Sequence, residues 1–590
     1  MIRCTRSSSN PWPYLAHHSC APQGRWSWPL HSTWSSRHVL LAYSTTDHRG
    51  IAIPVLAGRT RRARHRTVHF HSFPKDAPLS PLPPPTTTFS AADDPWIDVR
   101  TGYRYDQVGL RALFLAAHRI DDLALPHPPA ASALLRIAVA VTARVTGLDD
   151  PELTASQWNA LRRSRLAEGR FDPGAVHAYF DSHAWDVFDP LRPWLQEPAL
   201  RTQCDHTTGI NAFVPGRPAG HNLAWFSPHG HHSADPVPTA AALQLLLIHR
   251  YYGRAGTGTP RTLNGATSGK QTSGPLRSSV SFHPLGRTLH ETLLAGVPAF
   301  TGDDQPPGAD ACPWEETTPG LQAAPSGAVT WPGRQLTGLS RHAILLVPGQ
   351  DGTTVADAYI TWATQQPKPI TTDPYLAYRI IPERKNVARR RTLHRADASR
   401  AWWRELETLL LAPDEHGTHR RPAIFDTLND LPEPLRRSLR IRVHGFDQDG
   451  KATDRQWYTA ITPPLLNWAQ EHDPVKAERI AECCRQAEQV AQRLATVAKQ
   501  AWDAATHRRT PQPPWSRRAL TRYWPKAETV FWRLLEEPDT EAPLAFADAA
   551  AAALRETTQA ARIRHTFAAR AVAHAVKDLY RRPATARKAA

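Results

Sequence analysis

The chain reads as an α+β protein, a mixed N-terminal globular domain followed by a C-terminal helical bundle. Three observations carry this reading. The 590 residues are 41% hydrophobic and include 20 Trp, enough for two or more domains with real cores. From Ser90 to about residue 460, strand-like and helix-like stretches alternate. Beyond that point, long segments rich in Ala, Glu, Arg and Leu keep a helical period, broken by Pro511–Pro514 and Glu537-Pro538.

The elements follow in chain order. Residues 1–89 hold no stretch with a sustained helix or strand period. Residues 1–90 contain 11 Pro, 12 Ser and 8 His, with 11 Lys+Arg against 2 Asp+Glu. A secretory signal fits poorly, since no apolar core led by a cation precedes a small-residue cleavage site. The segment is expected to be a disordered extension, or upstream sequence read from an earlier start. Met1 is the only Met, so a start such as Val68 would use an alternative codon.

From Asp94-Pro-Trp-Ile-Asp-Val-Arg100 the chain enters a strand, followed by a helix over Gln107–His118. Helices are expected at Ala130–Val145, Pro151–Glu168, Phe171–Phe180 and Thr239–Tyr252, and strands at Ala343–Val347 and Tyr375–Ile381. Residues 204–235 and Gly253–Ser279 read as two long loops, a length usually kept for binding. Residues 388–412, 474–508, 515–537 and 543–582 read as mostly helical, the last three placing the bundle at 461–590.

Charge and cysteine bound the function. Residues 91–470 hold 39 basic and 38 acidic groups, and residues 471–590 hold 21 and 14, so the main body is near neutral and both ends are basic. Basic ends suit a phosphate backbone, as solvated helix faces also would. No uninterrupted apolar run approaches 18 residues, so no membrane span is expected. The six Cys are scattered with no CxxC pair, which points to a reducing, cytoplasmic setting rather than a disulfide scaffold or zinc site.

No motif specifies an enzyme. Gly265-Ala-Thr-Ser-Gly269-Lys270-Gln271 has three residues between its glycines and Gln after the Lys, where a phosphate loop needs four and Ser or Thr. A Gly/Lys loop near a phosphate backbone fits it better, and so does a plain linker. His229, His231 and His232 with Asp235 could converge on a metal, which leaves a metal-dependent nucleic-acid-processing enzyme as the alternative reading. Glu315-Glu316 and Asp303-Asp304 read as solvated loop carboxylates. Asp447-Gln-Asp-Gly-Lys451 is a polar turn between Ile441–Val443 and Trp457-Tyr458, and Asp-Gly is a strong hairpin signal.

The order of several segments resembles CasA, the large-subunit family of the type I-E CRISPR Cascade complex. They are Asp94–Arg100, Phe188-Asp-Pro-Leu-Arg-Pro-Trp-Leu-Gln196, Asn211-Ala-Phe-Val with Pro218–Asn222, and the helix Pro238–Tyr252. Ser273-Gly-Pro, Gly286–Leu294, Pro313–Glu316, Thr330–Arg334, Asp373–Arg379 and Gly445–Gly450 complete the set. The resemblance spans Asp94 to Arg582. It implies a non-catalytic subunit that acts with crRNA-containing Cascade subunits. Such a subunit recognises the protospacer-adjacent motif in double-stranded target DNA, helps start strand separation and recruits the CRISPR helicase-nuclease. The implied DNA-binding positions are Asn211, Phe213 and Val214 on an early loop, Gly265, Gly269 and Lys270 on a glycine-rich loop, and Gln448, Asp449, Gly450 and Lys451 on a wedge turn. Lys368 is a weak match to the family's lysine finger. The implied fold is a globular domain over 90–460 and a four-helix bundle after it, with no cofactor and no metal.

Overall fold

A computed structural model describes residues 88–581, apart from 220–233, 301–309, 317–329, 351, 364–372, 382–389, 411–418, 451–452, 470 and 537–540. The expected strand at the entrance is Ile97–Thr101, the centre of a small antiparallel sheet between Arg104–Val108 and Asp122–Leu123. The helix expected over Gln107–His118 is only Leu110–Leu115. Gln107 belongs to the strand instead, because the Gly102 turn (φ +60°) folds Arg104–Val108 back onto its neighbour.

The central element is the helix Pro128–Thr146, with Pro in its first turn and Gly147 (φ +72°) ending it. It is apolar on nearly every face because it is surrounded. Helices Thr239–Tyr252 and Leu289–Gly296 and the strand Arg440–Gln448 pack against it. By length and composition this helix could cross a membrane, contrary to the sequence reading, which counted only uninterrupted apolar runs. In this fold 89% of its apolar window is buried inside the protein. Arg136, fully buried on it, makes a bidentate pair with Asp373 (2.9 and 3.0 Å). It also donates to Ser132 Oγ (2.7 Å) and Ser281 Oγ (3.1 Å).

Helix Ala155–Ala167 starts from a reciprocal capping box of Thr154 and Gln157. Strand His342–Pro348 pairs with Thr354–Trp362, close to where the apolar run predicted it. Arg440–Gln448 lies between Val280–Leu285 and Asp454–Ile461, and the Asp-Gly turn joins the latter pair as expected.

Two corrections concern secondary structure. Gly253–Ser279 is not a loop but mainly a hairpin, Gly256–Leu263 against Ala266–Gln271. Its composition hid alternating β-branched Thr around Asn264-Gly265, whose φ values of +51° and +77° suit a tight two-residue hairpin turn. Residues 388–412 are not mostly helical. Arg390–Leu393 is a strand on Tyr378–Ile381, and among the described residues of this segment only Trp402–Leu410 turns helically.

The helical end matches the expectation more closely. Its four helices are Pro474–Thr506, Pro514–Glu536, Ala542–Arg564 and Thr566–Leu579, the last two parted at His565. The first is capped by Asp473 and buries Ile480, Cys484, Ala487, Ala491, Leu494 and Ala498 at helical spacing. Trp403 packs on Phe531 (4.7 Å) and Arg404 pairs with Glu488 (2.7 Å), so one core continues from the sheets into the bundle.

Glu315 and Glu316 are not solvated. Glu315 accepts from Arg144 Nε (3.0 Å), Tyr179 Oη (2.6 Å) and the Cys312 amide (2.7 Å), while Glu316 pairs with Arg334 (3.1 Å). Asp303-Asp304 lies outside the described residues.

Four buried histidines give the fold a pH dependence. Burial holds His290 and His342 down at about 4, and burial beside Arg136 holds His283 well below its ordinary value; His444 behaves likewise. The unfolded chain therefore takes up these protons first, near pH 6.5. Stability is intact above that pH and falls below it, by up to about 1.4 kcal/mol per pH unit for each histidine. Urea midpoints are expected to hold between pH 7.5 and about 6.5 and to drop from there to pH 5; a flat profile throughout would contradict this account.

Candidate nucleic-acid interface

Three separate stretches of sequence meet on the strand Thr354–Trp362 and the helix Thr239–Tyr252. The first is the short helix Ile210–Phe213, entered through Gly209 (φ +89°). Phe213 is fully buried, stacked on His249 at 5.1 Å and 15°, and His249 Nε2 donates to the Phe213 carbonyl (2.8 Å). Burial lowers the pKa of His249, consistent with a neutral ring in that role. Asn211 is buried too, and Val214 is half-buried, so this stretch presents mainly backbone. Just before it, Thr208 Oγ1 donates to the Ile360 carbonyl (3.1 Å), accepts from the Ile360 amide (2.7 Å) and lies 2.7 Å from Thr259 Oγ1 on the second stretch.

That second stretch is the Asn-Gly hairpin. Trp362 Nε1 donates to the Ser268 carbonyl (2.6 Å), Thr361 Oγ1 to the Thr259 carbonyl (2.6 Å) and Gln271 Nε2 to the Ile360 carbonyl (3.1 Å). Gly265 stands at the exposed turn. Gly269 is required by close strand approach: a Cβ there would meet the Gly258 carbonyl oxygen at 2.8 Å. Lys270, opposite Thr257, is exposed.

The third is the Asp-Gly turn. Gln448 does not point outward. Its Oε1 accepts from the Ser278 amide (3.0 Å), and its Nε2 donates to the Tyr252 carbonyl (3.2 Å) and Asp454 Oδ1 (2.7 Å). Arg277 binds the Asp449 carbonyl (3.0 Å), the Thr453 carbonyl (3.1 Å) and Asp454 Oδ1 (2.8 Å), and Ser273 Oγ donates to the Gly450 carbonyl (2.9 Å). Asp449 is half-exposed and Gly450 exposed, so the tip begins there. Lys451 lies outside the described residues, as do Lys368 and the His229–His232 cluster.

Between the first two stretches runs a cleft lined by Thr208, Ala212, His249, Arg254, Gly256 and His342, with about 30 Å³ of free space. That holds a couple of waters, far below the several hundred Å³ of a small-molecule site. Arg254 stands on the rim of the cleft, exposed, with its carbonyl held by His342 Nε2 (3.0 Å). Among the described residues no carboxylate pairs with Arg254 or with Lys270. Sequence reasoning missed Arg254, because a lone Arg after a helix forms no motif. Among the described residues no group of three or more His, Cys, Asp or Glu could hold a metal ion.

The model of the family described as CRISPR-associated protein Cse1 matches residues 91–564. The chain belongs to that family. A Cse1-family relative from Thermus thermophilus, described as CRISPR-associated protein CasA/Cse1, is 26% identical over 256 residues. That alignment covers 43% of this chain and 46% of the relative, so the matched stretch spans less than half of the curated protein. A solved chain described as "CRISPR RNA-guided surveillance complex" is 34% identical with a TM-score of 0.73, covering 84% of this chain and all of that one. Cse1 of Thermobifida fusca, at 18% identity and TM-score 0.65 over 84% of this chain and 98% of that one, shares the fold. The Cse1 match also accounts for the colinear segments from Asp94 onward.

Proposed function

We propose that this Cse1-family chain is the large subunit of a type I-E CRISPR Cascade complex. It recognises the protospacer-adjacent motif in double-stranded DNA, helps start strand separation for crRNA pairing and recruits the helicase-nuclease. The observation that carries the reading is the convergence of the three stretches on one rigid support, in a chain similar to one from an RNA-guided surveillance complex. The role is binding in the cytoplasm, without a catalytic residue or cofactor.

In this reading Arg254 and Lys270 contact phosphates, which carry most of the affinity and make it fall with salt. The backbone of Ile210–Phe213 and the Asn-Gly hairpin approach the minor groove, where small residues permit close contact. The Asp449–Lys451 tip meets the duplex where it opens. Opening costs about 1.4 kcal/mol per base-pair step, which the RNA–DNA hybrid recovers, so the subunit supplies only the local nucleation cost.

The test is DNA binding by the complex reconstituted with crRNA and partner subunits, with and without this chain, on targets with permuted adjacent motifs. Motif-dependent binding is expected only with the chain present. Arg254→Ala and Lys270→Ala are each expected to flatten the dependence of log affinity on log salt by about one unit, with motif preference retained. Unchanged binding without the chain would overturn the reading. Divalent-metal-dependent cleavage by the isolated chain would instead favour the His229–His232 enzyme.

A further inference from the structure

The bundle carries its charge unevenly. Two stretches contain no Asp or Glu, residues 504–527 with six Lys+Arg and residues 557–577 with four. The helix order brings the start of the first stretch and the start of the second to the same end. The first bundle helix stops at Thr506 and the fourth begins at Thr566; the His507 ring lies 6.5 Å from Phe567. At the opposite end of their antiparallel course, Arg493 donates to the carbonyl of Leu579 (3.2 Å). Trp502 meets Trp515 edge-on at 5.3 Å, which fixes the start of the second helix beside the end of the first.

This end is apolar as well as basic. Ile563 is 79% and Phe567 71% exposed, four positions apart across the break at His565. Around them Arg508, Arg509 and Arg564 are exposed, and none pairs with a carboxylate among the described residues. The nearest acid in sequence, Asp503, is half-buried a turn back along the first helix.

We infer that this end of the bundle is a docking surface for an acidic protein segment that carries an apolar anchor. Complementarity selects the occupant. Unpaired guanidiniums call for carboxylates or phosphates, and exposed Ile and Phe gain only from covering by apolar side chains. A phosphate backbone would neutralise the arginines but leave Ile563 in water, so the protein segment satisfies both halves of the patch. The residues of this surface are none of those assigned to the proposed DNA face, and the inference does not rest on that assignment.

The test uses the full chain and a synthetic amphipathic helical peptide of Glu and Leu as probe, followed by fluorescence anisotropy at low salt. Controls are a polyglutamate of equal charge and a short oligo-dT. The Glu/Leu peptide is expected to bind more tightly than polyglutamate. The Ile563→Ser/Phe567→Ser pair is expected to weaken the peptide about tenfold or more, as for anchor residues at an interface, and Arg508→Glu/Arg509→Glu similarly. Both pairs are exposed, so the thermal midpoint should not move. Equal binding of the peptide by wild type and variants would overturn the inference. So would oligo-dT binding that these substitutions abolish while the peptide does not bind, or self-association of the chain that the apolar pair abolishes.

Discussion

Replacing Asp449, Gly450 and Lys451 together by alanine should slow strand opening in the assembled complex while the protein stays folded. A Cβ added at Gly450 would meet nothing closer than Arg395 at 3.6 Å. Asp449 is half-exposed, its carboxylate accepting from the exposed Thr453 amide (2.9 Å) and lying 3.8 Å from Arg277, so alanines fit there at modest cost. If the tip supplies the equivalent of one base-pair step, its loss costs about 1.4 kcal/mol, about tenfold in opening. The informative comparison is Gln448→Ala. Gln448 faces inward, and its removal strips the partner from the buried Ser278 amide, at about 1–3 kcal/mol, while the Tyr252 carbonyl keeps its bond from Arg277 (3.1 Å). Gln448→Ala should therefore lower the thermal midpoint more than the triple variant, which removes the Asp449 contacts to the Thr453 amide and Arg277 at the turn's exposed side. A fluorescent base beside the adjacent motif reports opening, and calorimetry reports stability. Equal midpoints for the two variants would show that Gln448 does not anchor the turn.

The largest effect on stability is expected from Asp373→Ala. It leaves the Arg136 guanidinium fully buried without its carboxylate, between Ser132, Ser281 and the Tyr375 ring at 5.1 Å. Breaking a buried pair in this way costs about 3–5 kcal/mol. Replacing both partners with apolar residues, Arg136→Met with Asp373→Leu, should recover most of that loss, because no charge is then stranded. Urea unfolding of wild type, single and double variants tests the pair. A single variant within 1 kcal/mol of wild type, on the order of a surface substitution, would show that Arg136 finds water or another partner.

Much of the candidate interface was legible before the coordinates, but unevenly. Asp-Gly marked the turn because its chemistry is local. Asn264-Gly265 carried the same kind of signal, yet the surrounding Gly, Ser and Thr made the hairpin look like a linker. The resemblance pointed to Asn211, Phe213 and Gln448 without showing which way they face. All three are buried; the orientation of Phe213 depends on His249, and that of Gln448 on Ser278 and Tyr252, which lie far away in the chain. Arg254 gained its place only from the cleft it borders.

By itself the sequence determined what nearest neighbours control. These are the α+β class, the helices Pro128–Thr146 and Thr239–Tyr252, the Asp-Gly hairpin, and the helical third from Pro474. In each, the period of apolar residues or the φ preference of a turn acts within a few positions. Tertiary structure decided the rest. It made Arg390–Leu393 a strand by offering Tyr378–Ile381 as a partner, and turned Glu315 inward by placing Arg144 beside it. It also gathered residues 208–214, 254–271 and 448–450 onto one support. Such choices depend on hydrogen bonds and charge pairs beyond the reach of local preference, from the neighbouring strand to groups over a hundred positions away as for Arg144 and Glu315, and the energy of burying a polar side chain is set by whichever partner the fold delivers.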